Sequence, residues 1–475
     1  MMAALARALY SLLMVAAQPL LRRKLAQRAR AEPGYAQAVP ERFGHYEGLV
    51  AGQGAPGLVR PVWVHAVSLG ETRAAAVLVA RLREAFPGHS LLLTHGTATG
   101  RAEGVRLLQP GDVQVWQPWD TPGAVSRFLA RFQPVVGVLM ETEVWPNLAA
   151  GCRAHGIPLV LANARLSEHS LRRARRLAWL ARPAFGSLAA VLAQTEADAG
   201  RLRQLGAPVQ GVMGNLKFDA SPDAALLAQG HAWRAKLTRP VVMLASSREG
   251  EEVALLALLR QLHDQNRPPA LANAAQSAIK EIAIPMAHQV HWLIVPRHPQ
   301  RFDEVAALAT QQGFTVRRRS GWTHEGPDGE ATDSPQPVVW LGDSLGEMPL
   351  YYGLASAALL GGSFEALGGQ NLIEAAACSC PVVMGPHTFN FAEAADMAQV
   401  AGAAARVPGW TEGVELAVAL VTDAQRQAAV AELAQAFAQA HRGACDRTVQ
   451  AIRALVSPGA PTAGADSPAG ESRPA

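Results

Sequence analysis

From residue 62 onward the chain repeats one pattern: a short β-branched apolar run, a stretch with helical spacing, then another apolar run. The runs VWVHAV (62–67), LLLTHG (91–96), VQVWQP (113–118), VVGVLM (135–140) and PLVLANA (158–164) are mostly continuous rather than alternating, as in strands buried on both faces. Between them, 71–86 and 145–155 carry helical spacing, and further strands are expected at 189–195 and 210–215. Such a β-α-β-α rhythm makes a doubly wound parallel sheet. It restarts with PVVMLASS (240–247), VHWLIVP (290–296), PVVWLG (337–342), AALLGG (357–362) and PVVMGP (381–386). The expected fold class is therefore α/β, with two Rossmann-like halves joined near 216–238. In open sheets of this kind ligands bind beyond the carboxyl ends of the strands, so two facing halves are expected to enclose a substrate cleft.

Composition narrows the function classes. Charged residues make up 17% and hydrophobic ones 49%, whereas a soluble domain carries about 25% charged residues, which excludes a disordered chain or a charged coiled coil. The excess of 43 Lys and Arg over 39 Asp and Glu is only +4, too small for a nucleic-acid field, so no nucleic-acid partner is expected. Cys152, Cys378, Cys380 and Cys445 form no C-x-x-C pair, which supports neither a disulfide framework nor a cysteine zinc site. A reducing compartment follows. No metal and no cofactor are expected.

The amino terminus departs from this soluble pattern. Residues 3–21 are apolar except for Arg7, Tyr10, Ser11 and Gln18, and the basic run Arg22, Arg23, Lys24, Arg28, Arg30 follows without an acid. The apolar run is short for a crossing that needs about 20 residues, and Pro19 sits near its end. Residues 1–30 read as a membrane-anchoring segment against anionic headgroups on the cytoplasmic side, with a cleaved signal peptide and a buried helix as the other readings. In the first reading the apolar run and the fold occupy separate segments. Residues 31–220 then form a first Rossmann-like domain and 221–456 a second, whose last helix either ends it or crosses back. The stretches 265–283 and 320–337 read as surface excursions, and the tail 457–475 as disordered.

Chemistry-bearing residues cluster where strands end. Ser68, Gly70 and Glu71 follow the first strand, where the glycine allows a tight turn and the carboxylate opens a helix; Glu71 is a base candidate or a helix-start residue. Thr94 to Arg101 offers hydroxyls, backbone donors and a guanidinium to an anion, or ordinary caps. Glu141 and Glu143 follow the fourth strand, and capping the helix near Pro146 accounts for only one of them. Arg165 and the group Arg172, Arg173, Arg175, Arg176 form a solvated face, or a patch for phosphates or an anionic membrane. In the second half, Ser246 to Glu252, Val295 to Pro299, Gly342 to Met348 and Gly361 to Glu374 are loops before helices. None is a P-loop or a clean G-x-G-x-x-G after the first strand, so a nucleotide held by scattered loops fits better.

Eight motifs occur in one order: VWVHAVSLGET, THGTATGR, ETEVWPNL, NARLSEHS, GNLKFD, VPRHPQRF, LGDSLGEM and GGSFEALGGQNLIEAAA. With them the chain resembles the 3-deoxy-D-manno-octulosonic acid (Kdo) transferases of lipopolysaccharide synthesis over about residues 3–455. The resemblance implies an inverting glycosyltransferase of GT-B type: two Rossmann-like domains facing across a cleft, with an N-terminal membrane-associated helix. It moves Kdo from CMP-Kdo to a lipid A precursor (lipid IVA), anchored to the cytoplasmic face of the cell inner membrane. By the same resemblance Glu71 matches the catalytic base. Pro296, Arg297, Gly346, Glu347, Met348, Asn371, Leu372, Ile373 and Glu374 match CMP-binding segments, and Glu141 and Lys217 match cleft residues. Arg248 and Gln370 stand where the family usually has histidine, so the resemblance carries no direct role over to those two side chains. At its helix start Glu71 is expected to stay ionised because the dipole favours its charge. A sugar-nucleotide epimerase would share the glycine-rich second half without a membrane foot; a non-catalytic membrane-surface scaffold would need the foot but no rim of carboxylates.

Overall fold

The continuous apolar runs become strands buried on both faces. A computed structural model describes residues 2–46, 60–265, 289–327 and 336–456; all but the first residue of the 265–283 stretch, the centre of 320–337 and the tail 457–475 lie outside the described residues. The chain divides into two units, Met1–Asp219 with Gly443–Ala475, and Ala220–Arg442.

Unit 1 holds β1 (Val62–His65), β2 (Leu91–His95), β3 (Val113–Trp116), β4 (Val136–Met140), β5 (Leu159–Ala164), β6 (Ala190–Ala193) and β7 (Val209–Val212). Its seven-stranded sheet has the order β3-β2-β1-β4-β5-β6-β7, and every pairing is parallel. Val62 pairs with both Leu91 and Val136, so β1 is an interior strand, next to the central β4. Successive residues of β1 point to opposite faces: Trp63 packs with Phe128, Leu129 and Leu161, and Val64 with Leu78, Leu93 and Val138. The second layer also takes Cys445, Val449 and Ile452 from the last helix, Ala444–Val456, which therefore belongs to unit 1.

Unit 2 holds β8 (Val241–Ser247), β9 (His291–Pro296), β10 (Thr315–Arg318), β11 (Val338–Leu341), β12 (Ala357–Leu360), β13 (Val382–Met384) and β14 (Ala404–Arg406), ordered β10-β11-β9-β8-β12-β13-β14 and again parallel. The apolar-run reading missed β10 and β14. Both are edge strands of three or four residues, and the TVRR of β10 is half-buried along its length, so neither needs a continuous apolar run. In unit 1 the strand order reverses between β1 and β4, and in unit 2 between β8 and β12. Crevices form at such reversals, beyond the strand ends.

The amino terminus forms α1 (Met2–Ala16) and α2 (Gln18–Ala31), bent by 51° at their junction; no single helix among the described residues is long and apolar enough to cross a membrane. The expectation that this segment is separate from the fold is overturned. The Tyr10 hydroxyl donates to the buried Asp120 carboxylate, Ser11 Oγ donates to Asn147 Oδ1 at 2.9 Å, and Leu25 is buried with Tyr35 and Trp116. The Arg22 guanidinium lies 3.6 Å from the centre of the Phe43 ring. The buried-helix reading fails as well, since Leu5, Leu9, Leu12 and Leu13 are 66%, 51%, 66% and 59% exposed. α1 is inverted relative to a soluble surface helix, turning polar side chains inward and leucines outward.

Candidate active site

In unit 1 the site is built at the β1/β4 reversal. The chain leaves β1 and starts α3 (Leu69–Ala85), with Ser68 as N-cap: its Oγ accepts from the Glu71 N–H at 3.3 Å and donates to Glu71 Oε1 at 3.1 Å. Glu71 Oε2 accepts from the Val67 N–H at 2.9 Å. This is close to a capping box, in which a serine and a glutamate three residues on satisfy the first amides of a helix. Gly70 is not the turn residue the sequence suggested. It sits inside the first helical turn, and a Cβ there would meet nothing nearer than 4.0 Å.

The expectation that Glu71 stays ionised is also overturned. Burial pushes its carboxyl up to about 7, Glu141 and Glu143 push the same way, and the Val67 N–H and Ser68 hydroxyl pull it back only in part. Desolvation thus outweighs the helix dipole, whose effect is about 0.3–1 kcal/mol at an exposed end. A carboxyl poised near neutrality is a stronger base than one in the ordinary carboxylate range, and it is held in place by two donors.

Glu141, the nearest rival, is built for a different task. It takes φ 59°, a left-handed conformation costly for a residue with a Cβ, and its buried carboxylate is paired with Arg165 Nε at 3.0 Å and Lys217 Nζ at 3.7 Å. A carboxylate shared between two cations orients them and is poorly placed to accept a proton. Nor does either acid after β4 cap the next helix. Asp120, which the sequence reading passed over, does so: its two oxygens accept from the Asn147 and Leu148 N–H groups at 2.9 and 2.8 Å. Burial pushes Asp120 up to about 6. Glu143 instead accepts from Trp145 Nε1 at 2.8 Å, and burial raises it. Arg101 is committed elsewhere, to Glu41 at 2.8 Å and above the Trp116 ring, so the anion site expected at 94–101 loses its guanidinium. His65 and His95 of the neighbouring motifs are core residues; burial lowers them to about 3 and about 4, so both are neutral.

In unit 2 four loops meet at the carboxyl ends of β8, β9, β11 and β12. Glu251, fully buried, ties two of them: its carboxylate accepts from the N–H groups of Arg248 at 2.9 Å, Gly362 at 2.7 Å and Phe364 at 3.3 Å. Glu252 beside it pairs with Arg301 at 2.7 Å and accepts from Ser247 Oγ at 2.7 Å. Gly361 is required here, since a Cβ would come within 2.4 Å of the Ser246 carbonyl oxygen. Arg297, the residue after Pro296, donates its N–H to the Ser247 carbonyl at 3.0 Å and its Nε to Gln370 Oε1 at 3.2 Å. Gln370 therefore has a role after all, steadying Arg297, whereas the Arg248 guanidinium turns to Glu249 at 3.1 Å. Gly346 has φ 81° and opens the Glu347-Met348 turn; Ser246 Oγ donates to Met348 Sδ at 4.0 Å, linking that turn to β8. Asn371 starts the short helix Leu372–Ala377, and its buried Oδ1 finds no partner among the described residues. Leu372 and Ile373 are buried in the core, so only their backbone can meet a ligand.

Residues 37–220 match the family model described as 3-Deoxy-D-manno-octulosonic-acid transferase (kdotransferase). A 3-deoxy-D-manno-octulosonic acid transferase of Bordetella pertussis is 46% identical to this chain, over 94% of it and 98% of the relative. The chain belongs to the Kdo transferase family. A protein of the same name from Haemophilus influenzae is 31% identical, over 94% of this chain and 98% of its own length. The fold is shared more widely: UDP-GlcNAc 2-epimerase from Neisseria meningitidis superposes with a TM-score of 0.52 at 14% identity, over 82% of this chain and 99% of that one. Fold alone thus leaves transfer and epimerisation level, and the family decides for a glycosyltransferase of GT-B type.

Within the Kdo transferase family frame, Ser68, Glu71, Glu141, Arg165 and Lys217 gather in unit 1, and Pro296, Arg297, Gly346 to Met348 and Asn371 to Glu374 line strand ends in unit 2. Asp120 and Glu251 were missed. A lone acid in QPWDTPG and the second acid of an EGEE run carry no local signal, because their partners lie 27 and 111 residues away.

Proposed function

We propose that this enzyme transfers Kdo from CMP-Kdo to a lipid A precursor, lipid IVA, in lipopolysaccharide synthesis, inverting the anomeric centre in a single displacement. The observation that carries the reading is Glu71, a positioned carboxyl at a strand-order reversal with its proton affinity raised to about 7. Ionised, it takes the proton of the acceptor hydroxyl as that oxygen bonds to the anomeric carbon; the bond from that carbon to the phosphate oxygen breaks and CMP leaves with the electron pair. Unit 2 holds the nucleotide, Arg297 meeting the phosphate and the Asn371 Oδ1 accepting from the ligand. Arg165 and Lys217, kept in place by Glu141, meet the anionic groups of the sugar or the acceptor. Purified protein incubated with CMP-Kdo and a tetra-acylated lipid A precursor should give products heavier by Kdo in mass spectrometry; a product-free reaction with both substrates intact removes the reading.

The same reading places the enzyme on the cytoplasmic face of the inner membrane. Its support is the outward leucine row of α1, together with exposed Arg22, Arg23 and Lys24 on α2 and exposed Arg172, Arg173, Arg175, Arg176, Leu177 and Trp179. Apolar side chains beside unopposed cations suit an anionic lipid surface. Replacing Leu5, Leu9 and Leu12 together by Gln is expected to move the enzyme from the membrane pellet to the supernatant with an unchanged thermal transition, because all three are exposed. A triple variant that still sediments with anionic vesicles places the anchor elsewhere.

A further inference from the structure

The loop after β11, Gly342 to Met348, has little packing of its own. Leu345 is 71% exposed, Gly346 takes a left-handed φ, and two acids, Asp343 and Glu347, sit within five residues of each other. A loop of this kind entropically resists being fixed around a ligand. What fixes it comes from the chain between β10 and β11, which composition had marked as a surface excursion.

Directly after β10, Arg319 Nη2 donates to Glu347 Oε1 at 2.9 Å. The other carboxylate oxygen of Glu347 accepts from Ser344 Oγ, which also bonds the Tyr351 hydroxyl at 2.5 Å. The next residue grips the second acid: the Ser320 N–H and Oγ donate to the two oxygens of Asp343 at 2.8 and 2.7 Å. Arg319 is in turn held by aromatic rings, its guanidinium lying 5.2 Å from the Trp233 ring centre and 5.8 Å from that of Trp322. Trp322 packs edge-on against Trp233, at 5.9 Å, and against Trp340 of β11, at 5.7 Å. Trp340 is buried in the sheet, so an unbroken series of contacts runs from β11 through Trp322 and Arg319 to Glu347.

We infer that Arg319, backed by Trp322, is a positioning residue for the nucleotide loop: by holding the Glu347 carboxylate it fixes the Gly346-Glu347-Met348 turn before CMP arrives. It also balances a negative charge that would otherwise oppose an anionic ligand. This rests on unit 2 being the CMP-binding unit, as proposed above. A guanidinium suits the task better than an ammonium, because its plane stacks against rings while its fork reaches an acid.

Titration calorimetry of the full chain with CMP tests it through a double-mutant cycle. Arg319→Ala is expected to weaken CMP about tenfold, with the acceptor KM unchanged, and Arg319→Lys to recover part of the loss. Because Arg319 acts through Glu347, adding Arg319→Ala to Glu347→Gln should cost less than about twofold further. Losses that multiply in the double variant, or an Arg319→Ala affinity equal to wild type, overturn the inference. If the alanine variant does not fold, Arg319→Lys carries the test, with a several-fold loss expected and unchanged affinity overturning it. A wild-type chain that fails to bind CMP overturns the donor reading, and this inference with it.

Discussion

Glu71→Gln should lower Kdo transfer at least a hundredfold at pH 8, since a general base contributes about 10² to 10⁴ in rate. Glutamine can still accept from the Val67 N–H, and Ser68 still caps α3, so CMP affinity should hold. The pH profile carries the sharper signature. The base must be ionised, so wild-type kcat/KM is expected to rise with pH through about 7 and level off above it, and the residual activity of the variant should lack that limb. Stability moves the other way. Because the folded carboxyl is raised from 4.5 to about 7, the folded state keeps a proton there that the unfolded state has lost, and stability present below about 4.5 declines as pH rises toward 7. Glutamine escapes this decline, so the thermal transition of the variant should gain on wild type between pH 5 and pH 8. Glu141→Gln supplies the control. If Glu71→Gln keeps transfer within about tenfold of wild type while Glu141→Gln abolishes it, the base is misassigned; if both keep it, the carboxylate mechanism is wrong.

Arg297→Ala should weaken CMP binding roughly ten- to more than a hundredfold while the acceptor KM stays the same. A charge-assisted hydrogen bond to phosphate contributes about 1.5–3 kcal/mol, and each 1.4 kcal/mol is tenfold in affinity. Gln370→Ala removes the contact that steadies the guanidinium but not the charge, and is expected to cost less. Unchanged CMP affinity in Arg297→Ala would move the phosphate to the glycine-rich loop after β12.

The strands legible in the sequence were those whose burial is local. β1, β4, β5, β8 and β9 lie inside their sheets, so each needs an apolar run and shows one. β10 and β14 were illegible because they are short edge strands, TVRR and AAR, that end in arginine and hold no apolar run; the edge strands β3 and β7 keep valines and were read. The site divides along the same line. Glu71 and Arg297 stand shortly after such strands, which made them candidates, and the family resemblance supplied their roles. The ionisation of Glu71 was misjudged because the dipole is a property of its own helix, whereas desolvation depends on everything packed around it. Likewise Gly70 reads as a turn residue until the backbone shows an ordinary helical position, and Trp322 reads as loop until its ring is found against Trp340.

The last helix makes unit 1 of both ends of the chain, with unit 2 inserted between Asp219 and Gly443. These two points are adjacent, for the Asp219 carboxylate accepts from the N–H groups of Gly443 and Cys445. During synthesis, therefore, the first unit to emerge is the last to be finished. Its sheet waits with the faces of Leu78 and Val138 lacking Val449 and Ile452 until the final helix leaves the ribosome, while unit 2, an uninterrupted segment, can complete its own sheet first. A chain cut short near residue 440 would present a finished unit 2 beside an open apolar face, the kind of intermediate that chaperones and proteases recognise. Joining Asp219 directly to Gly443 through a few flexible residues should, conversely, give a unit 1 that folds without its insert.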